Sequence, residues 1–264
     1  MPLNWIDVSE LDFNELLLLE REQIGWFPGW DWTSREALAI ALRANPCVAW
    51  YLRHKNPDVA DWVDSLLAMA GGPAGAGVVR EAEIAVLRSL VDLLTYALQP
   101  EAYDAQPFTT WEDAELTRIV DFTGQRVLDV GAGTGRLTFV AAPLAEVVWA
   151  VEPVENLRRF IREKAAARGY KNVYAVDGLI TEIPFPDDFA GVVMAGHVFG
   201  DAPAAELAEM ERVTRPGGLV VFMPAADNTS DKDHRFLVEH GYAWEPFVEP
   251  GAGEKLKYWK RVGP

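Results

Sequence analysis

The stretch that constrains the fold most is Arg126–Arg136, which reads Arg-Val-Leu-Asp-Val-Gly-Ala-Gly-Thr-Gly-Arg. A short apolar run ends there in three alternating glycines, and an amphipathic segment that starts at Leu137 follows directly. This order predicts a strand, a tight turn and a helix. Glycine suits such a turn because it tolerates positive φ and lets a ligand approach the backbone closely. We therefore expect a ligand-binding turn at the carboxyl end of a strand, where open α/β sheets bind their ligands.

The spacing of these glycines separates two nucleotide-binding patterns. The dinucleotide fingerprint G-x-G-x-x-G requires a glycine where this chain has Arg136. Residues 127–135 instead resemble motif I of the class I S-adenosylmethionine (SAM)-dependent methyltransferases, commonly written (V/I/L)LD(V/I/L)GxGxG. The resemblance implies a methyltransferase with SAM as its cofactor. An NAD(P)-dependent oxidoreductase stays open as an alternative that Arg136 disfavours.

The chain after motif I supports the same resemblance. Apolar strands alternate with helical patterns, which predicts a parallel sheet. Residues 183–193 resemble the family's lead into its fourth strand, with Ala190 where the family usually has aspartate, and Glu211–Gly218 resembles the Pro-Gly-Gly turn before the fifth. The resemblance covers about residues 110–264. It implies an α/β fold: a seven-stranded, mostly parallel sheet of order 3-2-1-4-5-7-6, with helices on both faces and a terminal hairpin.

The first part of the chain has a different pattern, and we divide the sequence into two domains. Residues 1–105 show only helical patterns, so we expect an all-helical N-terminal domain before the SAM-binding domain of residues 106–264. Glycine and proline in residues 25–32 predict a loop there, which carries Trp26 and Trp30. These rings are candidates for substrate binding on a lid or cap, although large aromatic rings also build the core of a small helical domain.

The resemblance also implies which residues hold the cofactor. Glu152 ends the second strand, where a carboxylate can accept both hydroxyls of a ribose, although NAD enzymes place an acid similarly. Asp177 follows the third strand, where the family hydrogen-bonds the adenine amino group. The full set of expected SAM contacts comprises Asp129, Gly131, Ala132, Gly133, Glu152, Pro153, Asp177, Gly178, Leu179, Ala195 and Gly196. The segment before the first strand adds possible contacts to the methionine end at Tyr103, Phe108, Thr110 and Trp111.

The segment after the fourth strand carries the expected catalytic residues. Class I enzymes place there the groups that face the transferred methyl, and an oxygen nucleophile needs a base that titrates near neutrality. His197 is the histidine placed for that role, although it can also simply pack against the cofactor. Asp201 is a candidate to orient the imidazole or to bind an amine, or alternatively to cap the following helix, and Phe199 is a candidate substrate contact. We expect direct in-line transfer to an oxygen or nitrogen atom. A non-catalytic SAM-binding sensor stays open as an alternative.

The composition of the chain limits which binding partners and which cellular compartment we expect. The 40 Asp and Glu residues outnumber the 24 Lys and Arg residues, which gives a formal net charge of −16. Such a surface repels phosphate backbones, so we expect a small-molecule acceptor and no nucleic acid. A single cysteine, Cys47, cannot form an internal disulfide, which fits a reducing cytoplasm, and its apolar neighbours predict a buried thiol. No secretory signal, membrane-spanning run or metal-binding cluster is visible, so we expect a cytoplasmic protein without membrane association or metal.

Overall fold

The computed structural model describes residues 5–29, 33–69, 71–72 and 74–263. The chain divides into two compact units, Met1–Tyr103 and Asp104–Pro264. Each unit has buried apolar clusters of its own. We therefore describe each unit by itself.

All regular secondary structure in the described part of the N-terminal unit is helical. Its core consists of aliphatic and aromatic side chains and includes leucines at helical spacing, such as Leu38 and Leu42. The second helix starts where the Ser34 hydroxyl accepts a hydrogen bond from the Ala37 N–H at 3.2 Å. The α-helices are α1 (Arg21–Gly25), α2 (Arg35–Ala44), α3 (Pro46–Lys55), α4 (Ala60–Leu67), α5 (Ala76–Ser89), α6 (Val91–Leu98) and α7 (Pro100–Asp104), and 3-10 helices span Phe13–Leu18, Phe27–Gly29 and Pro57–Val59.

Two local expectations for this unit are wrong. Of the segment predicted as a loop, the structure describes residues 25–29, and these are largely helical: Gly25 ends α1, and Phe27–Gly29 forms a 3-10 turn whose Phe27 ring is buried against Trp62. Trp26 lies between these two helices with 39% of its surface exposed. Trp30 falls outside the described residues. Cys47 is exposed instead of buried, because Val48 and Ala49 take the inward face of the first turn of α3.

The C-terminal unit is built on a seven-stranded sheet, as predicted. The strand order is β3-β2-β1-β4-β5-β7-β6. β1 to β5 pair in parallel, and β7 lies antiparallel between β5 and β6. Consequently β6 runs in the same direction as β5 and ends at the same edge. The strands are β1 (Arg126–Val130), β2 (Val147–Val151), β3 (Val173–Val176), β4 (Ala190–Ala195), β5 (Thr214–Ala226), β6 (Ala243–Glu249) and β7 (Gly253–Arg261).

Helices cover both faces of this sheet because alternate strand residues point to opposite sides. Val127 belongs to one buried cluster together with Leu137, whereas the next residue, Leu128, belongs to a second cluster with Met210. The helices of the unit are α8 (Ala114–Thr117), α9 (Arg136–Ala141), α10 (Glu155–Ala167), α11 (Pro203–Arg212) and α12 (Lys232–Glu239), with a 3-10 turn at Pro107–Thr109. Among the described helices, none combines the length and the apolarity needed to cross a membrane.

Candidate functional site

The glycine turn between β1 and α9 has the geometry that the sequence predicts. Gly131, Gly133 and Gly135 adopt φ angles of +67°, +55° and +85°. The Gly131 and Ala132 N–H groups donate to the Val151 carbonyl at 2.8 and 3.1 Å, which fastens the turn to the end of β2. A Cβ added at Gly131 would lie 2.4 Å from the Cγ1 atom of Val198. The turn therefore needs glycine both for its backbone angles and for space.

Asp129 fastens the glycine turn to α9. Its carboxylate is buried, and Oδ2 accepts hydrogen bonds from the Thr138 N–H at 2.7 Å and the Thr138 hydroxyl at 2.6 Å. Burial raises the pKa of Asp129 to about 6, against the lowering effect of these two hydrogen bonds. The carboxylate therefore has a structural role, and its expected contact with SAM stays a prediction.

Glu152 lies directly after β2 and is the most perturbed carboxyl group beside the turn. It is 5% exposed, and each of its oxygens accepts one backbone hydrogen bond: Oε2 from Gly133 and Oε1 from Val154, both at 2.9 Å. Burial raises the pKa of Glu152 to about 7, while the two N–H groups and Arg158 act in the opposite direction. A strongly perturbed carboxyl group in a cleft is typical of a functional site.

Asp177 lies after β3 and is joined to the Glu152 backbone through Arg158. The Arg158 Nη1 atom donates to the Glu152 carbonyl at 2.7 Å and to the Asp177 Oδ1 atom at 3.0 Å. The Asp177 side chain is 75% exposed, which leaves it accessible to a ligand. Arg158 was not among the expected site residues. It lies one turn into α10, the helix that follows Glu152, and this position in the sequence could have indicated it.

The remaining expected cofactor residues line the same edge of the sheet. Ala132 is buried in the turn and Pro153 is half-buried after Glu152. Leu179 forms a bridge with Glu182 just beyond Asp177. Several positions leave no room for a side chain: a Cβ at Gly178 would lie 2.6 Å from Pro184, and one at Gly196, after the buried Ala195, would lie 2.6 Å from the Met223 carbonyl oxygen.

These residues fit the adenosyl part of SAM. A carboxylate can accept about four hydrogen bonds, and Glu152 uses two of them for backbone N–H groups. The remaining capacity, one acceptor site on each oxygen, matches the two hydroxyls of a ribose. Asp177 lies exposed beyond β3, and the glycine turn presents backbone without side chains.

His197 follows β4 in a strained conformation. Its φ angle is +60°, a region that costs a residue with a side chain about 1–3 kcal/mol. Its N–H donates to the Pro224 carbonyl at 3.1 Å, and 43% of its side chain is exposed. The next residue, Val198, lies against Gly131, so the segment after β4 reaches the glycine turn.

The hydrogen-bond partner of this imidazole is a residue that sequence reasoning missed. The His197 Nε2 atom lies 2.7 Å from Oε1 of Glu249, which is the last residue of β6 and only 1% exposed. In the sequence Glu249 is followed directly by Pro250 and Gly251, a pattern typical of a loop, which concealed its role. The direction of β6 could have indicated this contact, because β6 runs parallel to β4 and β5 and therefore ends at the same edge of the sheet.

One expectation about this segment is corrected. Asp201 neither orients His197 nor caps α11: the imidazole bonds to Glu249, and the Gly200 and Ala202 N–H groups before the helix bond to the buried Glu206 at 2.8 and 2.7 Å. Phe199 is half-buried, with its ring 4.6 Å from the Phe222 ring and 6.1 Å from the Phe236 ring. Its expected contact with substrate stays a prediction.

The segment before β1 supplies an aromatic wall. The Phe108 ring lies edge-on to His197 at 5.7 Å. The Lys164 Nζ atom donates to Asp104 at 2.5 Å and to the Thr134 carbonyl in the glycine turn at 3.3 Å, which ties the segment to the site.

Helix α8 begins at Ala114, and Trp111 before it is buried beneath Arg136. The Arg136 guanidinium lies 3.8 Å from the centre of the Trp111 ring and bonds to Asp113 at 2.7 Å. Tyr103 belongs to the N-terminal unit, with its ring 5.3 Å from that of Trp5.

Comparisons with known proteins agree with this geometry. Residues 128–222 match the family model described as a methyltransferase domain. The chain is 32% identical over 125 residues to the demethylmenaquinone methyltransferase of Geobacillus kaustophilus, covering 45% of this chain and 53% of that protein. It is also 32% identical over 125 residues to the malonyl-acyl-carrier-protein O-methyltransferase of Serratia marcescens, covering 46% and 44%. The chain thus spans about half the length of the curated relatives that it matches.

A solved structure shows the same architecture. It is a chain in the complex of the Trm112 methyltransferase activator with a methyltransferase from Haloferax volcanii. The TM-score is 0.52 at 15% identity, and the match covers 64% of this chain and 95% of that chain. At this identity the likeness concerns the fold alone.

Proposed function

We propose that this chain, whose C-terminal unit belongs to the class I SAM-dependent methyltransferases, binds SAM and transfers its methyl group to an oxygen or nitrogen atom of a small-molecule acceptor. The two relatives above are named for different acceptors, so the proposed acceptor class rests on the residues of the site.

The observation that carries the proposal is the state of Glu152. A carboxylate that is buried at the end of β2, bonded to the glycine turn and still able to accept two hydroxyls is built to hold a ribose beside that turn. Each charge-assisted hydrogen bond from a hydroxyl contributes about 1.5–3 kcal/mol. In this proposal Asp177 accepts from the adenine amino group, and Gly131 and Gly133 admit the methionine end.

The residues of the acceptor side have a different task. Bound SAM supplies an electrophilic methyl group on a sulfonium, so the protein needs to align a nucleophile for in-line displacement and to exclude water. His197 is the proposed base, since its imidazole is exposed and follows β4, the strand that pairs with β1 beside the glycine turn. The Phe108 ring covers one side of it. A contribution of Trp26 and Trp30 to acceptor binding, and a capping role of the helical unit, belong to the proposal on sequence grounds only.

Calorimetric titration tests the proposal. SAM and its demethylated product, S-adenosylhomocysteine, are expected to bind with dissociation constants near the micromolar range, and NADH is expected not to compete. A protein that binds neither compound, or that prefers NADH, contradicts the assignment. Binding of SAM without methyl transfer to any compound in a broad acceptor panel would instead favour a SAM sensor.

A further inference from the structure

The His197–Glu249 pair is more than a surface contact. The carboxylate of Glu249 is 1% exposed, whereas the imidazole that it touches is 43% exposed. One ring nitrogen, Nε2, faces the buried carboxylate at 2.7 Å. The other, Nδ1, has no hydrogen-bond partner among the residues that the structure describes. The pair therefore joins a buried carboxylate to a ring that is partly open to solvent.

We infer that Glu249 is a positioning residue that keeps the proton of His197 on Nε2, so that Nδ1 accepts a proton from an acceptor with an ionisable hydroxyl. The inference rests on the proposed function and specifies its acceptor as a hydroxyl compound. An ionised carboxylate can only accept hydrogen bonds, so the ring nitrogen that bonds to it carries the hydrogen. In a neutral imidazole the other nitrogen then carries a free lone pair.

The surrounding structure holds this arrangement in place. β6 ends at Glu249, and the turn that follows contains Gly251, where a Cβ would lie 3.0 Å from Pro107. The 3-10 turn that begins at Pro107 carries Phe108, whose ring meets the imidazole edge-on at 5.7 Å. Three segments that are distant in sequence thus converge on one ring.

The backbone of His197 also argues for a specific role. Its φ of +60° is uncommon for a residue with a side chain, and such conformations persist where the surroundings over-determine them. The residue held in this conformation is the one whose ring bonds to Glu249.

The proton transfer is balanced within the pair and the acceptor. The acceptor hydroxyl gives its proton to Nδ1, and the ring becomes an imidazolium whose charge faces the Glu249 carboxylate. The oxygen keeps the electron pair that forms the new oxygen–carbon bond while the carbon–sulfur bond breaks. A tertiary amine has no proton to lose before attack, so a base oriented in this way is of most use to a hydroxyl compound.

Nitrogen NMR of the protein itself tests the tautomer without any acceptor. The chain contains four histidines, and the variant His197→Gln identifies the signals of His197 by deleting them. In protein labelled with 15N-histidine at pH 8, we expect long-range proton–nitrogen correlations to show a protonated Nε2 and an unprotonated Nδ1. A wild-type ring protonated on Nδ1 overturns the inference.

Variants of Glu249 test the cause. Glu249→Leu removes the acceptor, so both tautomers are expected, whereas Glu249→Gln keeps an oxygen and is expected to lie between Leu and wild type. Glu245→Gln is the matched control, since it changes a glutamate on the same strand whose side chain is 55% exposed. An unchanged tautomer in Glu249→Leu contradicts the positioning role. If that variant does not fold, the wild-type spectrum and Glu249→Gln still decide.

Kinetics separates this inference from the proposed function. SAM affinity is expected to stay within about twofold in the Glu249 variants, while kcat toward a hydroxyl acceptor falls at least about tenfold with a smaller change in KM. Loss of SAM binding in the wild type would contradict the proposed function and leave the tautomer result standing. A Glu249→Leu variant with full kcat would contradict the inference and leave SAM binding intact.

Discussion

The carboxyl edge of the sheet contains two acidic side chains that are held in different ways. Glu152, on the nucleoside half, is bound by backbone N–H groups, one of them only two residues away. Glu249, on the acceptor half, is bound by the side chain of His197, which lies 52 residues away in the chain. Backbone N–H groups persist through any substitution, whereas a side-chain partner can be deleted. Binding of the cofactor and turnover are therefore expected to depend on separate residues.

The largest expected effect is on the acceptor half. His197→Ala should lower turnover about 10²–10⁴-fold, the usual contribution of a general base. SAM affinity should change less than about twofold, because Glu152 and the glycine turn stay intact. Single-turnover transfer from radiolabelled SAM measures the first quantity and calorimetry the second, with His240→Ala at the exposed end of α12 as control. Unchanged turnover removes His197 from the base role.

The next effect is on the nucleoside half and concerns binding. Glu152→Ala should weaken SAM binding about tenfold to a hundredfold, because it deletes the acceptor of the ribose hydroxyls. Glu163→Ala is the control, since Glu163 is a 70% exposed glutamate of α10 that lies 3.9 Å from Arg159. Equal titration curves for the two variants would show that Glu152 does not hold the ribose.

The same residue gives a pH test that needs no ligand. Burial raises the pKa of Glu152 from 4.5 to about 7, so between these values the folded protein holds a proton that the unfolded chain has released. The stabilisation, on the order of 3 kcal/mol, is present below pH 4.5 and is lost as the pH rises to about 7.

Denaturant unfolding at pH 5 and pH 8 measures this change. Glu152→Gln should lose less stability than the wild type over that interval, and a smaller loss should remain because burial also raises the pKa of Asp129 to about 6. Parallel curves for wild type and variant would contradict the buried, protonated state of Glu152.

A smaller effect tests the glycine turn. Gly131→Ala and Gly124→Ala introduce a side chain at φ angles of +67° and +64°, and each should cost about 1–2 kcal/mol of stability. Only Gly131 has a neighbour, Val198, within 2.4 Å of the added Cβ, whereas nothing lies within 4 Å at Gly124. SAM affinity should therefore fall only in Gly131→Ala. Calorimetry that finds the same affinity in both variants would place the ligand elsewhere.

The smallest effect concerns Asp177. Its side chain is 75% exposed, so Asp177→Asn should weaken SAM binding only a few-fold. Asp187→Asn is a close match, because Asp187 has the same 75% exposure and pairs with an arginine, Arg212, at 2.8 Å. If Asp177→Asn weakens SAM binding as much as Glu152→Ala does, the buried and the exposed acid on the nucleoside half contribute equally to binding.

Prediction from sequence succeeded where the signal is local. The resemblance carried by motif I, the alternating elements and the terminal hairpin implied the sheet order, and the glycines predicted the positive φ angles of the turn. Prediction failed where packing decides: Cys47 is exposed, and residues 27–29 form a 3-10 turn whose Phe27 ring is buried. Aromatic residues carry no sequence mark that separates a core position from a ligand contact.

By itself the sequence determined the parallel sheet, the glycine turn and the position of Glu152 at the end of β2, since each depends on residues that are adjacent in the chain. Only the tertiary structure decided which carboxylate faces His197. Asp201 is the nearer acid in sequence, yet Glu249 makes the contact. The physical reason is the antiparallel insertion of β7, which reverses the chain so that β6 ends beside β4 and β5 at one edge.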